Sequence, residues 1–338
     1  MEMNYVNLMT SNYGTKNQES KVKKVAPSVA AGIGGVALGT MAKGGINAVA
    51  KIPNKHIMNT IQNVCAEHAD SFERVSDVIN QTLKNKGVLE KGVRILDAST
   101  PEGAEAVTRV MSEELKGHKI FERIPESARE LASEIFSSIF SSGQNAAYLP
   151  HTKTVVLSGE KMGLTAFHEA GHAINANASK IGKALQACRG TSLLSIPISL
   201  IAVLKRPKME GEKPEGAVDK ATTFVKKHAG KLTFATFLPM LIEEGMASIR
   251  GCKMAKLVSP EIFKATCKVN GLAYLTYLGV ALAAGIGVAV ARNIRDKIAI
   301  NSMKKKQAKA QEQLAQLQAQ QYKQNMNNFY IPSDYKIS

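Results

Sequence analysis

The stretch LTAFHEAGHAIN, Leu164 to Asn175, holds two histidines four residues apart, with a glutamate directly after the first. Residues at i and i+4 share one face of a helix, so the imidazoles of His168 and His172 can reach a single zinc ion. Glu169 is placed to act on a metal-bound water as a general base rather than to bind the metal. The stretch therefore predicts a catalytic metal helix. The alternative is a histidine pair that only satisfies local hydrogen bonds.

A catalytic zinc needs a third protein ligand and an open position. The other histidines are scattered, and no third histidine follows at the spacing of the longer zinc motif. The segment LPMLIEEGMASIRG instead places Glu243 and Glu244 in an apolar helical run, where two carboxylates are costly unless a cation compensates them. Glu244 is the preferred ligand because the small Ala247 follows at i+3, and Glu243 is the alternative. Ser248, at i+4, is placed to hydrogen-bond a ligating histidine. The simpler interpretation is a helix that emerges into solvent at Glu243.

The segment before the metal helix, NAAYLPHTKTVVLSG, alternates in polarity and is rich in β-branched residues. It predicts one strand over Lys153–Leu157, preceded by an extended piece that contains Pro150. The metal helix is expected to begin near Lys161.

The composition favours a mainly helical protein with membrane character. The 338 residues are 44% hydrophobic but only 5% aromatic, so the core must come from aliphatic residues and methionine, which favour helices. The formal net charge of +16 is typical of proteins that bind nucleic acid or anionic lipid. Because the charge is dispersed and no stacking aromatics accompany it, membrane lipid is the expected partner and nucleic acid is not. The four cysteines contain no C-x-x-C pair, which leaves a four-cysteine zinc site unsupported.

Five segments are expected along the chain. Residues 1–24 are polar and predict a flexible tail that lacks a secretory signal, and hence a cytoplasmic N-terminus. Residues 25–50 form an apolar Gly-rich segment, either a membrane helix or an amphipathic or disordered piece. Residues 55–143 predict a helical subdomain, and 144–302 are expected to form the core that carries the histidine motif. Residues 303–338 are rich in Gln and Lys and predict a helical tail that frays into disorder.

Three apolar stretches in the core region are candidate membrane helices, at about 192–204, 232–242 and 272–291. The last is about twenty residues long, carries no charge and is flanked by Lys268 and Arg292, which matches the length and flanks of a membrane span. A buried core helix is the alternative. The first two are short, and they fit core helices, re-entrant segments or interfacial segments.

The order of these stretches constrains the membrane topology. His172 and Glu244 must lie on one side of the membrane, and the stretches 192–204 and 232–242 lie between them. The zinc site can form only if both stretches cross or both dip into the bilayer. The loop between them is basic and favours the cytoplasm. A shallow in-and-out dip agrees best with a cytoplasmic active site.

The motif TAFHEAGHAI followed by EEGMAS resembles the zincin metallopeptidases, in particular the glutamate-zincin branch with H-E-x-x-H and a downstream E-x-x-A or E-x-x-S. The resemblance implies a zincin-like helical core that binds zinc through His168, His172 and Glu244, with Glu169 as the general base. The letters HEAGHA are also similar to membrane-anchored AAA-type proteases. No G-x-x-x-x-G-K-[ST] is present, so neither their ATPase module nor a bound nucleotide is expected. The branch often has Asp where Ser248 stands.

The resemblance also implies a mode of substrate binding. In that family an extended substrate lies along an edge strand before the metal helix, so the Lys153–Leu157 strand is expected to pair with the peptide backbone. Tyr148 or His151 is then expected to help stabilise the tetrahedral oxyanion.

These features predict a mainly α, integral-membrane zinc endopeptidase that hydrolyses peptide or protein substrates with zinc-activated water. Two alternatives stay open. One is a non-enzymatic membrane scaffold that binds anionic lipid or a partner protein. The other is an inactive zincin-fold protein.

Overall fold

The structure of the chain is a computed structural model that describes residues 55–64, 72–98, 100–116 and 146–328, with a few isolated positions between these segments. The predicted tail over 1–24 and the Gly-rich segment over 25–50 lie outside the described residues. The described part is mainly helical, which confirms the fold class expected from the composition.

Eight α-helices of the described segments are numbered in chain order. They are α1 (Phe72–Asn85), α2 (Pro101–Lys116), α3 (Gly159–Ala178), α4 (Lys180–Ala187), α5 (Ser195–Leu204), α6 (Gly216–Thr236), α7 (Leu238–Ala255) and α8 (Pro260–Asn328). Two short 3₁₀ turns, Leu89–Lys91 and Arg189–Leu194, lie between them, and the positions 55–64 are also helical. The helix that carries His168 begins two residues earlier than expected, at Gly159.

Three short strands of the described residues form one sheet: β1 (Arg94–Asp97), β2 (Ala147–Leu149) and β3 (Thr154–Leu157). Their order is β1-β3-β2, with β3 parallel to β1 and antiparallel to β2. The expected single strand is therefore one arm of a hairpin. Lys153 lies in its turn, with a φ of 51°, so the strand begins one residue later than expected.

The strand β3 is central, which corrects the prediction that it forms the edge of the sheet. Residues of β3 pair with β1 on one side and with β2 on the other, so its backbone groups face partners on both sides. An added peptide strand requires an unpaired edge. Among the described strands, only β1 and β2 offer such an edge, and β2 is the one that contacts the side chain of Glu169.

The main core surrounds α3 and joins the two halves of the chain. Its buried residues include Ile79 and Leu83 of α1, Val155 of β3, Phe167 of α3 and Ile262 of α8. Residues on both sides of the expected boundary at 143 thus share one apolar cluster. Because α3 is covered from several directions, the histidine motif lies inside the protein.

Within the described residues, three helical stretches are long and apolar enough to cross a membrane: Lys180–Leu204, Gly216–Ala255 and Pro260–Met326. The first two each include a break between shorter helices. The first break is the 3₁₀ turn before Ser195, so α5 itself has only 10 residues. The second break is at Phe237, ahead of Pro239 in the first turn of α7. It divides the expected apolar stretch 232–242 between α6 and α7.

The expected span over 272–291 lies within α8, which continues unbroken to Asn328 and includes the described part of the tail. Large apolar side chains of this span face outward, including Leu282, Ile286 and Val290. An exposed apolar stripe of this length is unusual on a water-soluble surface and is typical of a lipid-facing helix.

Candidate metal centre

The candidate site forms where α3 and α7 cross with their backbones in contact. A Cβ added at Gly171 would lie 2.9 Å from Cα of Ala247 and closer still to its carbonyl oxygen. At the next contact, a Cβ at Gly251 would lie 3.0 Å from the backbone of Phe167. Glycine is therefore required at Gly171 and at Gly251. The short separation brings the histidines of α3 within reach of the glutamates of α7.

Three potential ligand atoms converge at this crossing. The Nε2 atoms of His168 and His172 are 2.9 Å apart, and Oε2 of Glu244 lies 3.1 Å and 3.5 Å from them, respectively. A tetrahedral zinc ion with bonds of about 2.0–2.1 Å separates its ligand atoms by about 3.3 Å. The two imidazole nitrogens and the carboxylate oxygen lie close enough together to hold one metal ion.

Glu243 lies beside the same cluster but contacts the other ring nitrogen of His172. Its Oε1 is 2.8 Å from Nδ1 of His172 and also accepts hydrogen bonds from Asn175 at 2.8 Å and from Gln186 at 3.1 Å. A carboxylate on the outer nitrogen fixes the tautomer and the orientation of a metal-binding histidine. The geometry therefore distinguishes the two glutamates, with Glu244 on the Nε2 side and Glu243 behind the ring.

Ser248 contacts the outer nitrogen of the first histidine. Its Oγ lies 3.3 Å from Nδ1 of His168, as the one-turn offset from Glu244 predicts. Each histidine thus has a polar partner on Nδ1 and directs Nε2 towards Glu244. Both side chains are well covered, with 13% of His168 and 6% of His172 exposed.

Arg189 completes the site and was not anticipated from the sequence. Its Nη1 lies 3.1 Å from Oε2 of Glu243, and its Nη2 lies 2.6 Å from Oε1 of Glu244. The two carboxylates are essentially buried. Two adjacent buried carboxylates require a positive charge, and this requirement was the available signal for a cation. It did not point to a residue 54 positions away in a short turn.

Electrostatics of the cluster favour a positive charge between the carboxylates. Burial alone would lower the pKa of His172, but Glu244 and Glu243 outweigh that effect and raise it to about 10. In the absence of metal, His172 therefore carries a proton at neutral pH. A dication that binds at Nε2 would take the place of that charge.

Glu169 points to β2 from the helical turn that carries the histidines. Its Oε2 accepts a hydrogen bond from the backbone N–H of Tyr148 at 2.7 Å. Ligand atoms of Glu169, His168 and His172 all lie within 4.8 Å of one another. The carboxylate is partly exposed and is held next to the point where the imidazoles meet. This is the position that a general base needs.

The two residues expected near an oxyanion are placed differently from each other. The hydroxyl of Tyr148 accepts a hydrogen bond from Asn177 at 2.8 Å, two turns beyond Glu169 on α3. Burial raises the pKa of Tyr148, so its hydroxyl is protonated at neutral pH. His151 lies in the turn between β2 and β3, where its backbone N–H donates to Glu114 of α2 at 3.3 Å. Tyr148 is thus the nearer of the two to Glu169.

Comparison with known proteins does not assign the chain to a family or a function. No family model matches the chain, and no curated protein or solved structure shows significant similarity to it. The chemical interpretation of the site accordingly depends on its residues and their geometry.

Proposed function

We propose that this chain is a membrane-associated zinc metallopeptidase of the glutamate-zincin type, with His168, His172 and Glu244 as metal ligands. The observation that supports it best is the convergence of the two Nε2 atoms and Oε2 of Glu244 within 2.9–3.5 Å. Sequence spacing predicted the histidine pair, but nothing in a helical fold requires a glutamate 72 residues later to meet it. Each of the three atoms is of a type that binds zinc, and all three are turned towards one point.

The donor set favours zinc over other common ions. Two imidazole nitrogens and one carboxylate oxygen are typical ligands of catalytic zinc, whereas calcium and magnesium prefer oxygen ligands throughout. The three protein ligands leave a fourth position for water or substrate, which distinguishes a catalytic site from a closed structural one. Bound there, zinc would supply a Lewis acid and a water of lowered pKa.

Glu169 would accept the proton of the attacking water and pass it to the leaving amine. Its carboxylate is fixed by the backbone N–H of Tyr148, so it does not need to reorganise before proton transfer. Because Tyr148 belongs to the edge strand β2, a peptide that pairs with that edge would lie beside the general base. The substrate strand expected from the sequence is thereby reassigned from β3 to β2.

The membrane part of the proposal is supported by the three long apolar helices and their outward-facing side chains. With 10 residues, α5 spans about 15 Å, which is half of the hydrocarbon thickness. The hairpin of α5 and α6 therefore fits a shallow insertion that returns the chain to its original side. His172 and Glu244 then share one side, and we place that side and the N-terminus in the cytoplasm.

The test is metal analysis of the full chain in detergent, paired with the substitution Glu169→Gln. We expect about one zinc per chain in both proteins. Hydrolysis of unfolded protein substrates should fall by a factor of about 10²–10⁴ in the variant. A chain that resists zinc loading would refute the proposal, and equal activity of the two proteins would refute the role of Glu169.

A further inference from the structure

We infer that Arg189 is a positioning residue that fixes which oxygen of Glu244 faces the metal, an inference that rests on the proposed zinc site. Its guanidinium lies between Glu243 and Glu244 and contacts one oxygen of each. The remaining oxygen of each glutamate faces a histidine. A closed ring of His172, Glu243, Arg189 and Glu244 is the result.

The planar guanidinium explains why each glutamate directs one carboxylate oxygen to Arg189 and the other to a histidine. Nη2 holds Oε1 of Glu244 at 2.6 Å, while Oε2 of the same carboxylate lies 3.1 Å from Nε2 of His168. With Oε1 directed to Arg189, Glu244 presents Oε2 on the side of the two histidines. Four-coordinate zinc requires this single-oxygen binding, because a second oxygen would occupy the position of the water or substrate.

Arg189 also connects the ligand to the orientation of His172. Nη1 lies 3.1 Å from Oε2 of Glu243, whose Oε1 is 2.8 Å from Nδ1 of the histidine. Displacement of the guanidinium would therefore release two ligands, one directly and one through Glu243. Polar groups behind the metal ligands commonly change metal affinity by about 10–100-fold when they are removed.

The turn that carries Arg189 has anchors besides the contacts of its guanidinium with the two glutamates. Thr191 Oγ1 lies within hydrogen-bond distance of two backbone carbonyl oxygens, of Cys188 at 2.8 Å and of Thr236 at 2.9 Å, and the second contact ties the turn to the end of α6. Gln186, at the end of α4, donates to the backbone carbonyl of His172 at 3.1 Å. The turn is thus attached both to α3 and, outside the crossing of α3 and α7, to the end of α6. The guanidinium can direct the carboxylates because its own backbone is fixed.

A lysine cannot reproduce this arrangement. Its ammonium is a point charge without the planar fork, so it would compensate the carboxylates without directing a separate oxygen of each. Arg189→Lys therefore keeps the positive charge but removes the two directed contacts with the glutamates. Arg189→Gln removes the charge, and Arg206→Gln is a matched control because Arg206 is exposed in the loop after α5.

The experiment uses the full chain in detergent, with Co²⁺ in place of zinc as a spectroscopic probe and a competing chelator to measure zinc affinity. We expect Arg189→Gln to weaken zinc binding about 10–100-fold. We expect both Arg189 variants to lose visible Co²⁺ absorption, because five-coordinate Co²⁺ absorbs less strongly than four-coordinate Co²⁺. The Arg206→Gln protein should match the wild type in both measurements.

Two outcomes would overturn the inference while leaving the zinc site intact. One is a wild-type Co²⁺ spectrum and zinc affinity in Arg189→Gln. The other is full recovery of both properties in Arg189→Lys, which would reduce the role of Arg189 to charge compensation. If Arg189→Gln does not fold, the Co²⁺ spectrum of Arg189→Lys decides. Failure of the wild-type chain to bind either metal would instead refute the proposed function.

Discussion

Glu243 Oε1 lies 2.8 Å from Nδ1 of His172, while the next residue, Glu244, directs its Oε2 towards Nε2 of the same ring. Consecutive glutamates thus contact opposite nitrogens of one imidazole. Because only Nε2 also faces His168, the two glutamates have different tasks in the proposed site. Glu244 would bind the metal, and Glu243 would hold the ring that binds it.

The first prediction compares Glu244→Gln with Glu243→Gln. The first substitution removes a proposed ligand and should abolish measurable zinc binding at micromolar metal. The second removes the anionic partner of His172 and should weaken zinc binding by only about 10–100-fold. Chelator competition on purified protein measures both values. The reverse order of effects would assign the ligand to Glu243, the alternative that the sequence left open.

The second prediction concerns the close crossing of α3 and α7. Gly171→Ala adds a methyl group that would overlap the backbone of Ala247, so we expect the helices to separate and zinc binding to fall with stability. Overpacking of this kind costs about 1–3 kcal/mol, and more where backbone must move. Thermal unfolding and zinc content report the two effects.

The matched control for this prediction is Gly271→Ala in α8. A Cβ at Gly271 meets no atom within 4 Å, so the substitution should leave zinc content unchanged. It should raise helix stability by up to about 1 kcal/mol, because alanine is the better helix former. A Gly171→Ala protein as stable and as zinc-rich as this control would contradict the described crossing.

The sequence could predict the site residues that lie at helical spacing or in an apolar helical run. His168, His172 and Glu169 follow from helical spacing, and the burial cost of two carboxylates indicated Glu243 and Glu244. Arg189 is not part of such a pattern. It lies in a turn rich in Ser, Thr and Leu, and only the tertiary fold brings it to the site. The sequence spacing therefore leaves its contacts open.

The strand pairing in the sheet also could not be predicted from local sequence. β1 has four residues and pairs in parallel with a strand about 60 positions later, so no hairpin signal marks it. β2 has three residues and ends before Pro150, so its sequence predicts only an extended piece. The central position of β3 depends on both pairings and could not follow from its own composition. Helix ends were more predictable because Pro, Ser and Gly mark them.

The third prediction tests whether the hydroxyl of Tyr148 is structural or stabilises the oxyanion. Its backbone N–H, which holds Glu169, is unaffected by Tyr148→Phe, while the hydroxyl that accepts from Asn177 is lost. We expect a stability loss of about 1 kcal/mol with turnover close to wild type. Denaturant unfolding and peptidase assays at full zinc occupancy measure the two quantities. A fall in turnover of about 10²-fold would instead give Tyr148 the oxyanion role.

The comparison for Tyr148 is His151→Asn in the β2–β3 turn. Its backbone N–H still reaches Glu114, so the turn is retained. We expect wild-type turnover and zinc content. A selective loss of turnover in this variant would assign the oxyanion role to His151 instead, the other candidate that the sequence offered.

The fourth prediction concerns the outward-facing stripe of α8. Leu282 and Ile286 are 45% and 62% exposed within a run of about twenty uncharged residues, so both would face lipid if α8 crosses the bilayer. A lysine at the centre of a span costs about 3 kcal/mol. We therefore expect the double variant Leu282→Lys and Ile286→Lys to leave membranes in alkaline carbonate, while the wild-type chain stays in the membrane pellet.

The control introduces two lysines in place of leucines on the same helix, outside the apolar run. Leu314 and Leu317 are each 58% exposed in the Gln-rich part of α8, where the side chains on every face of the helix are exposed. Substitution of both by lysine adds the same two charges and should leave membrane retention unchanged. Release of this variant as well would indicate that surface charge controls the fractionation. Release of the wild-type chain by carbonate would show that α8 does not span the bilayer, because only peripheral proteins are extracted in this way.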